Sequence, residues 1–173
     1  MKNIYTNLAR KSIYNYLKTG KFLNSPKSLP KNLTKRAGTF ISLHLSNDDL
    51  RGCIGTFLAT QPNLAEEIIK NAVAAATSDP RFEPVTLSEL KSIEISVDVL
   101  SSPKPVQNPD RELNPKKYGV IVKTADGRSG LLLPDLDGVD SANQQIAIAS
   151  QKAGIIEGEP VFLYKFTVKR HEE

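Results

Sequence analysis

Residues 39–57, TFISLHLSNDDLRGCIGTF, decide the fold because they predict the first β-hairpin of an antiparallel sheet. Two runs with the composition and alternation of strands, 39–45 and 50–57, flank the tetrapeptide SNDD. The Asn and Asp side chains of that tetrapeptide suit a tight turn, because they form hydrogen bonds with the nearby backbone. The stretch therefore predicts two paired strands, with the chain's only cysteine in the second one.

The register of this hairpin follows from its symmetry about SNDD. A symmetric hairpin places Ser42 opposite Cys53 and His44 opposite Arg51, and alternation then assigns these four side chains to one polar face. The other face is predicted to be apolar and to carry Ile41, Leu43, Leu45, Leu50 and Ile54.

Cys53 lies between Gly52 and Gly55, two residues after Arg51. Glycine weakens a strand interior, so two glycines around one thiol indicate that something approaches the backbone closely. We expect a ligand-binding surface here, with Arg51, Gly52 and Gly55 contacting the ligand and Cys53 as the catalytic thiol. Neighbouring arginine and imidazole groups would favour the thiolate, which is the nucleophilic form. The alternative is that Cys53 packs in the sheet as a small apolar residue.

The tetrapeptide DPRF at 79–82 is a second candidate for the site. Asp79 is suited to accept hydrogen bonds from backbone amides, and Arg81 projects a planar fork that matches a carboxylate or phosphate. Arginines near one thiol would form an anion-binding pocket. The alternative is a turn that ends a helix, in which Asp79 caps the helix and Arg81 forms a surface ion pair.

The rest of the chain alternates helices with strands and has no internal repeat. Strands joined by hairpins and separated by helices predict an α+β fold with mostly antiparallel sheets, not a doubly wound parallel sheet. The predicted helices are 3–18, 63–78 and 141–153, the predicted strands include 92–100 and 161–168, a hairpin covers 118–134, and proline-rich residues 101–118 are predicted to be an extended connection without regular structure.

Composition excludes several classes of protein. No run approaches the roughly 18 apolar residues of a membrane span, and one cysteine cannot form an internal disulfide, so we expect a cytosolic protein without a membrane partner. The sequence contains no phosphate-binding loop, no Gly-x-Gly-x-x-Gly fingerprint and no cysteine cluster for an iron–sulfur centre. Two histidines are too few for a closed zinc site. We therefore expect no cofactor and no metal.

The positive charge is concentrated at the N-terminus. Residues 1–36 contain nine Lys or Arg and no acidic residue, whereas the remaining 14 basic and 19 acidic residues leave that part at −5. With Tyr5, Tyr14 and Tyr16 interleaved, this segment is compatible with nucleic-acid binding through phosphate contacts and base stacking. A solvated lysine-rich helix face explains the same pattern, and no RNA-binding motif accompanies it, so we do not expect a nucleic-acid partner.

Five short motifs, in this order, resemble the AMMECR domain, also called protein A of the AmmeMemoRadiSam system. They are LRGCIGTF at 50–57, DPRF at 79–82, LSELKSIEISVDVLSSP at 87–103, GLLLP at 130–134 and KAGI at 152–155. The resemblance implies one domain over residues 1–173, built as two interlocked α+β lobes, with RGCIG bordering a cleft. It also implies association with a radical SAM protein and a MEMO-type protein, in a family without an established activity.

The family's motif positions extend the candidate site beyond Cys53. In this sequence they are Leu50, Arg51, Gly52, Cys53, Ile54, Gly55, Asp79, Arg81, Phe82 and Pro134. Two functional hypotheses follow: an enzyme that binds a small anionic or modified ligand and uses Cys53 as its nucleophile, or a non-catalytic adaptor whose cleft holds a segment of a partner protein.

Overall fold

The computed structural model describes residues 3–26 and 28–173. It contains two compact units, of which the first comprises the described residues up to Leu100 together with Lys169–Glu173, and the second comprises Ser101–Val168. The helices are α1 (Ile4–Thr19), α2 (Lys31–Thr34), α3 (Leu64–Thr77), α4 (Pro109–Glu112) and α5 (Ala142–Lys152), with a 3-10 turn at Glu89–Lys91. The strands are β1 (Thr39–His44), β2 (Leu50–Thr56), β3 (Glu94–Leu100), β4 (Lys104–Val106), β5 (Gly119–Lys123), β6 (Ser129–Leu132), β7 (Phe162–Phe166) and β8 (Val168–Glu172).

Helices α1 and α3 cover one face of the sheet in the first unit, whose strand order is β2-β1-β3-β8. Helix α1 begins after Asn3, whose side chain accepts a hydrogen bond from the Tyr5 amide, and ends at Gly20 in the left-handed conformation. Helix α3 is capped in the same way by Asn63. Their apolar side chains form one core with the inward-facing residues of β1 and β3, as the apolar periodicity of both helices predicts.

The first hairpin has the predicted register over most of its length. Ser42 lies opposite Cys53, but the register shifts between Leu43 and His44, so His44 lies opposite Leu50. The prediction that His44 faces Arg51 is therefore wrong, because Arg51 is the extra residue of a β-bulge. A bulge redirects the side chains beside it, and Leu50, predicted to be in the core, is 36% exposed.

Strand β3 is buried on both faces, whereas its alternating pattern predicted one buried face. Ile95, Val97 and Val99 pack in the core as expected. On the opposite face, Asp98 is also buried, and its two carboxylate oxygens accept hydrogen bonds of 2.8 and 2.9 Å from Arg170 of β8. A buried carboxylate with this bidentate partner avoids the desolvation cost of an unpaired charge.

The second unit is a sheet of order β4-β7-β5-β6 with α5 packed on β5 and β6. The predicted hairpin at 118–134 is present as β5 and β6, and Ser141 with Gln144 forms a capping box at the start of α5. The prediction that residues 101–118 lack regular structure is wrong, because this segment contains β4 and α4. The prediction of one continuous strand over 161–168 is also wrong. Strand β7 ends at Phe166, and a separate strand, β8, begins at Val168 and belongs to the sheet of the first unit. The α+β class with antiparallel sheets is confirmed.

Candidate functional site

Cys53 lies on β2, at the edge of the first sheet, and its side chain is partly exposed. The hydroxyl of Ser42, its cross-strand partner, donates a hydrogen bond of 3.3 Å to the Cys53 Sγ. No imidazole or carboxylate among the described residues is hydrogen-bonded to this sulfur, so the thiol has a hydroxyl donor but no adjacent base of the kind that activates catalytic cysteines.

Asp79 and Arg81 attach the end of α3 to the backbone of Cys53. The Asp79 Oδ2 accepts a hydrogen bond of 2.8 Å from the Cys53 amide, and its Oδ1 accepts one of 3.1 Å from the Arg81 amide. The Arg81 guanidinium donates to both oxygens, at 3.0 and 2.7 Å, and its Nη2 lies 3.4 Å from the Cys53 carbonyl oxygen. Asp79 and Arg81 thus bind both backbone polar groups of Cys53.

Burial and charge differ sharply between the two residues of this pair. The Asp79 side chain is 2% exposed, whereas that of Arg81 is 55% exposed. The hydrogen bonds from the Arg81 side chain, assisted by the amides of Cys53 and Arg81, hold the pKa of Asp79 well below its usual range although burial acts in the opposite direction. The side-chain hydrogen bonds of Arg81 to the described residues use Nε and Nη2 and leave Nη1 without a partner among them.

Arg51 has a carboxylate partner of its own, Glu89 of the 3-10 turn. Its Nε and Nη2 donate to the two Glu89 oxygens at 2.5 and 3.2 Å, and its side chain is 14% exposed. The same hydrogen bonds lower the pKa of Glu89. The Phe82 ring lies under both guanidinium groups, with its centroid 5.9 Å from the Arg51 Cζ and 5.4 Å from the Arg81 Cζ.

Other parts of the same chain fill the space next to Gly52 and Gly55, the two glycines beside Cys53. A Cβ at Gly52 would lie 2.3 Å from the carbonyl oxygen of Ala75 in α3. A Cβ at Gly55 would lie 2.4 Å from the Phe40 ring and from the Thr39 carbonyl oxygen. The close backbone approach that the sequence indicates is therefore made by α3 and β1, which explains both glycines by packing.

We define the Cys53 site as Ser42, Arg51, Cys53, Asp79, Arg81 and Phe82. Glu89 is the ion-pair partner of Arg51 that sequence reasoning missed, because it lies 38 residues from Arg51 and its tetrapeptide SELK shows only a short helical turn. His44 is in register with Leu50 and lines a different cavity, with Asp48 and Glu94. Pro134, the remaining motif residue, follows β6 in the second unit.

The aromatic residues of the basic N-terminal segment are largely engaged in internal contacts. The Tyr5 ring stacks on His171 with a centroid distance of 3.8 Å, and its hydroxyl accepts a hydrogen bond from Asn32. Tyr16 packs against Phe22 at 5.2 Å. Tyr14 is half exposed. This segment therefore does not present the row of free rings on which single-stranded nucleic acid stacks.

Among residues 3–26 and 28–173, no three His, Cys, Asp or Glu side chains are grouped so that they could hold a metal ion. No helix in the same residues has both the length and the apolar character needed to cross a membrane.

Known proteins that match this chain support the family resemblance indicated by its five motifs. The family model AMMECR1 matches residues 6–171. A Thermotoga maritima protein is 52% identical over 170 residues, covering 97% of this chain and 97% of that protein. A Clostridium acetobutylicum protein is 45% identical, and the match covers 99% of this chain but 36% of that longer protein.

A solved structure extends the agreement to three dimensions. The crystal structure of an uncharacterised protein from Pyrococcus horikoshii superimposes with a TM-score of 0.87 at 35% identity, covering 100% of this chain and 93% of that one. The resemblance noted from the motifs is thus confirmed over nearly the whole length, and the chain belongs to the AMMECR1 family.

Proposed function

We propose that this protein binds a small anionic ligand at the Cys53 site, in the cytosol, and that the Cys53 thiol acts on this ligand as a nucleophile. We further propose that a radical SAM protein and a MEMO-type protein are its partners. The observation that carries the ligand proposal is the half-exposed Arg81 guanidinium, which buried Asp79 holds beside Cys53. A guanidinium held in place by one carboxylate loses less side-chain entropy when its outer edge binds a second one.

The net charge of the Cys53 site does not by itself attract an anion. Asp79 and Glu89 balance Arg81 and Arg51, so the four groups sum to zero. Recognition of an anion would depend on hydrogen bonds from the Arg81 Nη1, because Nε and Nη2 already donate to Asp79 and to the Cys53 carbonyl oxygen. Carboxylate and phosphate oxygens accept strong, charge-assisted hydrogen bonds from such a group. This predicts a directional and moderate preference for anions, in contrast to the strong attraction exerted by a cluster of unpaired cations.

Alkylation of the single cysteine tests the proposal directly. Iodoacetate carries a carboxylate and iodoacetamide is its neutral counterpart, so the ratio of their rate constants reports whether an anion is guided to the sulfur. We expect this ratio to exceed that of a small thiol such as N-acetylcysteine amide, and to fall about threefold or more in Arg81→Gln and at high salt. Arg128→Gln, which removes a paired arginine of the second unit, is the matched control and should leave the ratio unchanged.

Two outcomes would contradict the proposal. Equal ratios in the wild-type protein and Arg81→Gln, with both proteins folded, would show that Arg81 does not guide anions to Cys53. An absence of alkylation until denaturation would show that the thiol is a packing residue.

Cys53→Ser separates the nucleophile from the binding surface. In a reconstituted mixture with the radical SAM and MEMO-type proteins, this variant should bind its partners normally and lose activity, because a hydroxyl is a far weaker nucleophile than a thiolate. Full activity would eliminate thiol catalysis, and loss of partner binding would assign an adaptor role to the RGCIG segment.

A further inference from the structure

A second recess lies in the first unit, separate from the Cys53 site. It is a groove of about 500 Å³ between α1 and the 3-10 turn at Glu89–Lys91. Its lining is mainly apolar and includes Tyr14, Leu23, Leu87 and Leu90, with Lys11 and Lys91 among the lining residues. The volume is within the roughly 300–1,000 Å³ of small-molecule sites.

The periodicity of α1 explains why one helix supplies a whole wall. Lys11 follows Asn7 by four residues, and Tyr14 and Asn15 follow Lys11 by three and four residues, so all four lie along a single face of the helix. The opposite wall comes from Leu87, Leu90 and Lys91. Leu90 is buried and fixes that wall to the core, whereas Leu87 and Tyr14 are 38% and 50% exposed.

The positively charged side chains that line the groove differ in their contacts. Arg10 is fully engaged, because it donates to Glu173 and to the carbonyl oxygens of Leu90 and Ile93. Lys11 and Lys91 have no hydrogen bond or ion pair with any of the described residues, and no carboxylate lines the groove. An apolar recess flanked by two uncompensated ammonium groups complements a ligand with an apolar body and an anionic head.

We propose that this groove binds a small amphipathic anion, in which a single carboxylate or sulfonate is joined to an apolar chain or ring system. The body would lie on Leu23, Leu87, Leu90 and the Tyr14 ring, and the head would pair with Lys11 and Lys91. A neighbouring cavity of about 250 Å³ shares Asn7, Lys11 and Leu23 with the groove. It offers room for a longer apolar body along α1. This site is independent of the Cys53 site and of the function proposed for it.

The anionic dye 8-anilinonaphthalene-1-sulfonate and its uncharged analogue N-phenyl-1-naphthylamine form a matched pair of fluorescent probes for this site. We expect saturable binding of one sulfonate per chain, weakened about tenfold or more by Lys11→Glu with Lys91→Glu. The control is Lys104→Glu with Lys123→Glu, which makes the same change in net charge on exposed strand positions of the second unit. This control should bind the dye like the wild-type protein, and the uncharged analogue should bind all three proteins similarly.

Leu87→Glu provides a second test, because it places a carboxylate on the apolar wall at a position that contributes little to the core. It should abolish dye binding while leaving the melting temperature within a few degrees of the wild-type value. Octanoate should displace the dye, whereas octanol should do so weakly.

Three results would overturn the assignment. One is unchanged dye affinity in the Lys11 and Lys91 double variant or in Leu87→Glu. Another is an equal loss of affinity in the control double variant, which would indicate a general charge effect. The third is displacement of the dye by single-stranded DNA but not by octanoate, which would assign the groove to nucleic acid instead.

Discussion

The backbone N–H of Cys53 donates to the Asp79 Oδ2 at 2.8 Å, across 26 residues of sequence. Because β2 is an edge strand, this amide would otherwise be free to pair with a strand of another chain. Asp79 occupies it, and Arg81 lies against the Cys53 carbonyl oxygen. The DPRF segment therefore closes the edge of the sheet at Cys53 while it positions a guanidinium beside the thiol.

Asp79→Ala should lower the free energy of unfolding by about 2–3 kcal/mol, because it removes hydrogen bonds from a guanidinium and from two backbone amides. Asp126→Ala is a matched control, since Asp126 also pairs with an arginine two residues later but its side chain is 60% exposed. That change should cost much less stability, because exposed ion pairs contribute little. Urea unfolding curves measure both values, and equal losses would contradict a structural role for the Asp79 pair.

The stabilising effect of Asp79 should depend on pH. Its pKa is lower in the folded protein than the ordinary value of 3.8, so the unfolded chain takes up the proton first. The contribution is complete above about pH 5 and is lost as the pH falls below about 4 toward the folded pKa. The difference in unfolding free energy between the wild-type protein and Asp79→Asn should therefore shrink from pH 5 to pH 2.5. A difference that stays constant over this range would refute the assignment.

Gly52→Ala should destabilise the protein by about 2–3 kcal/mol, because the new methyl group collides with the Ala75 carbonyl and separates β2 from α3. Gly20→Ala is the control: Gly20 has φ +70 with nothing within 4 Å, so it should cost only the conformational strain, about 1 kcal/mol. Thermal unfolding compares the two. A Gly52→Ala protein as stable as the wild type would contradict the packing explanation for this glycine.

Arg51→Ala should lower the free energy of unfolding by about 1–2 kcal/mol, in contrast to the small effect expected of a residue that faces an open cleft. The reason is its bidentate pair with Glu89, in which both side chains are mostly buried. A double-mutant cycle with Glu89→Ala should give a favourable coupling energy, whereas zero coupling would show that the pair contributes nothing.

His171 should make stability depend on pH near neutrality. Burial, followed by the nearby charges of Lys169 and Lys35, lowers its pKa, while Asp98 opposes the shift. The unfolded chain therefore binds the proton more tightly, so the stability associated with the neutral ring is present above pH 6.5 and is lost as the pH falls toward the folded pKa.

The buried Nε2 of His171 lacks a hydrogen-bond partner among the described residues, and the ring stacks on Tyr5. We expect the melting temperature of the wild-type protein to fall between pH 7.5 and pH 5.5, and His171→Phe to remove most of this dependence. An unchanged dependence in the variant would locate its source elsewhere.

The elements whose cause is local were predictable from neighbouring residues alone. The capping residues Asn3, Asn63 and Ser141 act on amides within three residues, and the symmetry of the hairpin about SNDD predicts the pairing of Ser42 with Cys53. The order of motifs around Cys53 also sufficed to assign the family. The helices and strands themselves are predictable because their side-chain periodicity is visible in a short stretch of sequence.

The surroundings of the cysteine, in contrast, depend on contacts between residues that folding brings together. The bulge at Arg51, its pairing with Glu89 and the filling of the space at Gly52 by Ala75 join residues far apart in sequence. Glu67 shows the same limit: it fits the acidic first turn of α3, yet it is fully buried and accepts hydrogen bonds from Thr60 and Gln61. Such contacts depend on how packed elements satisfy one another's polar groups, and neither periodicity nor spacing along the chain encodes that choice.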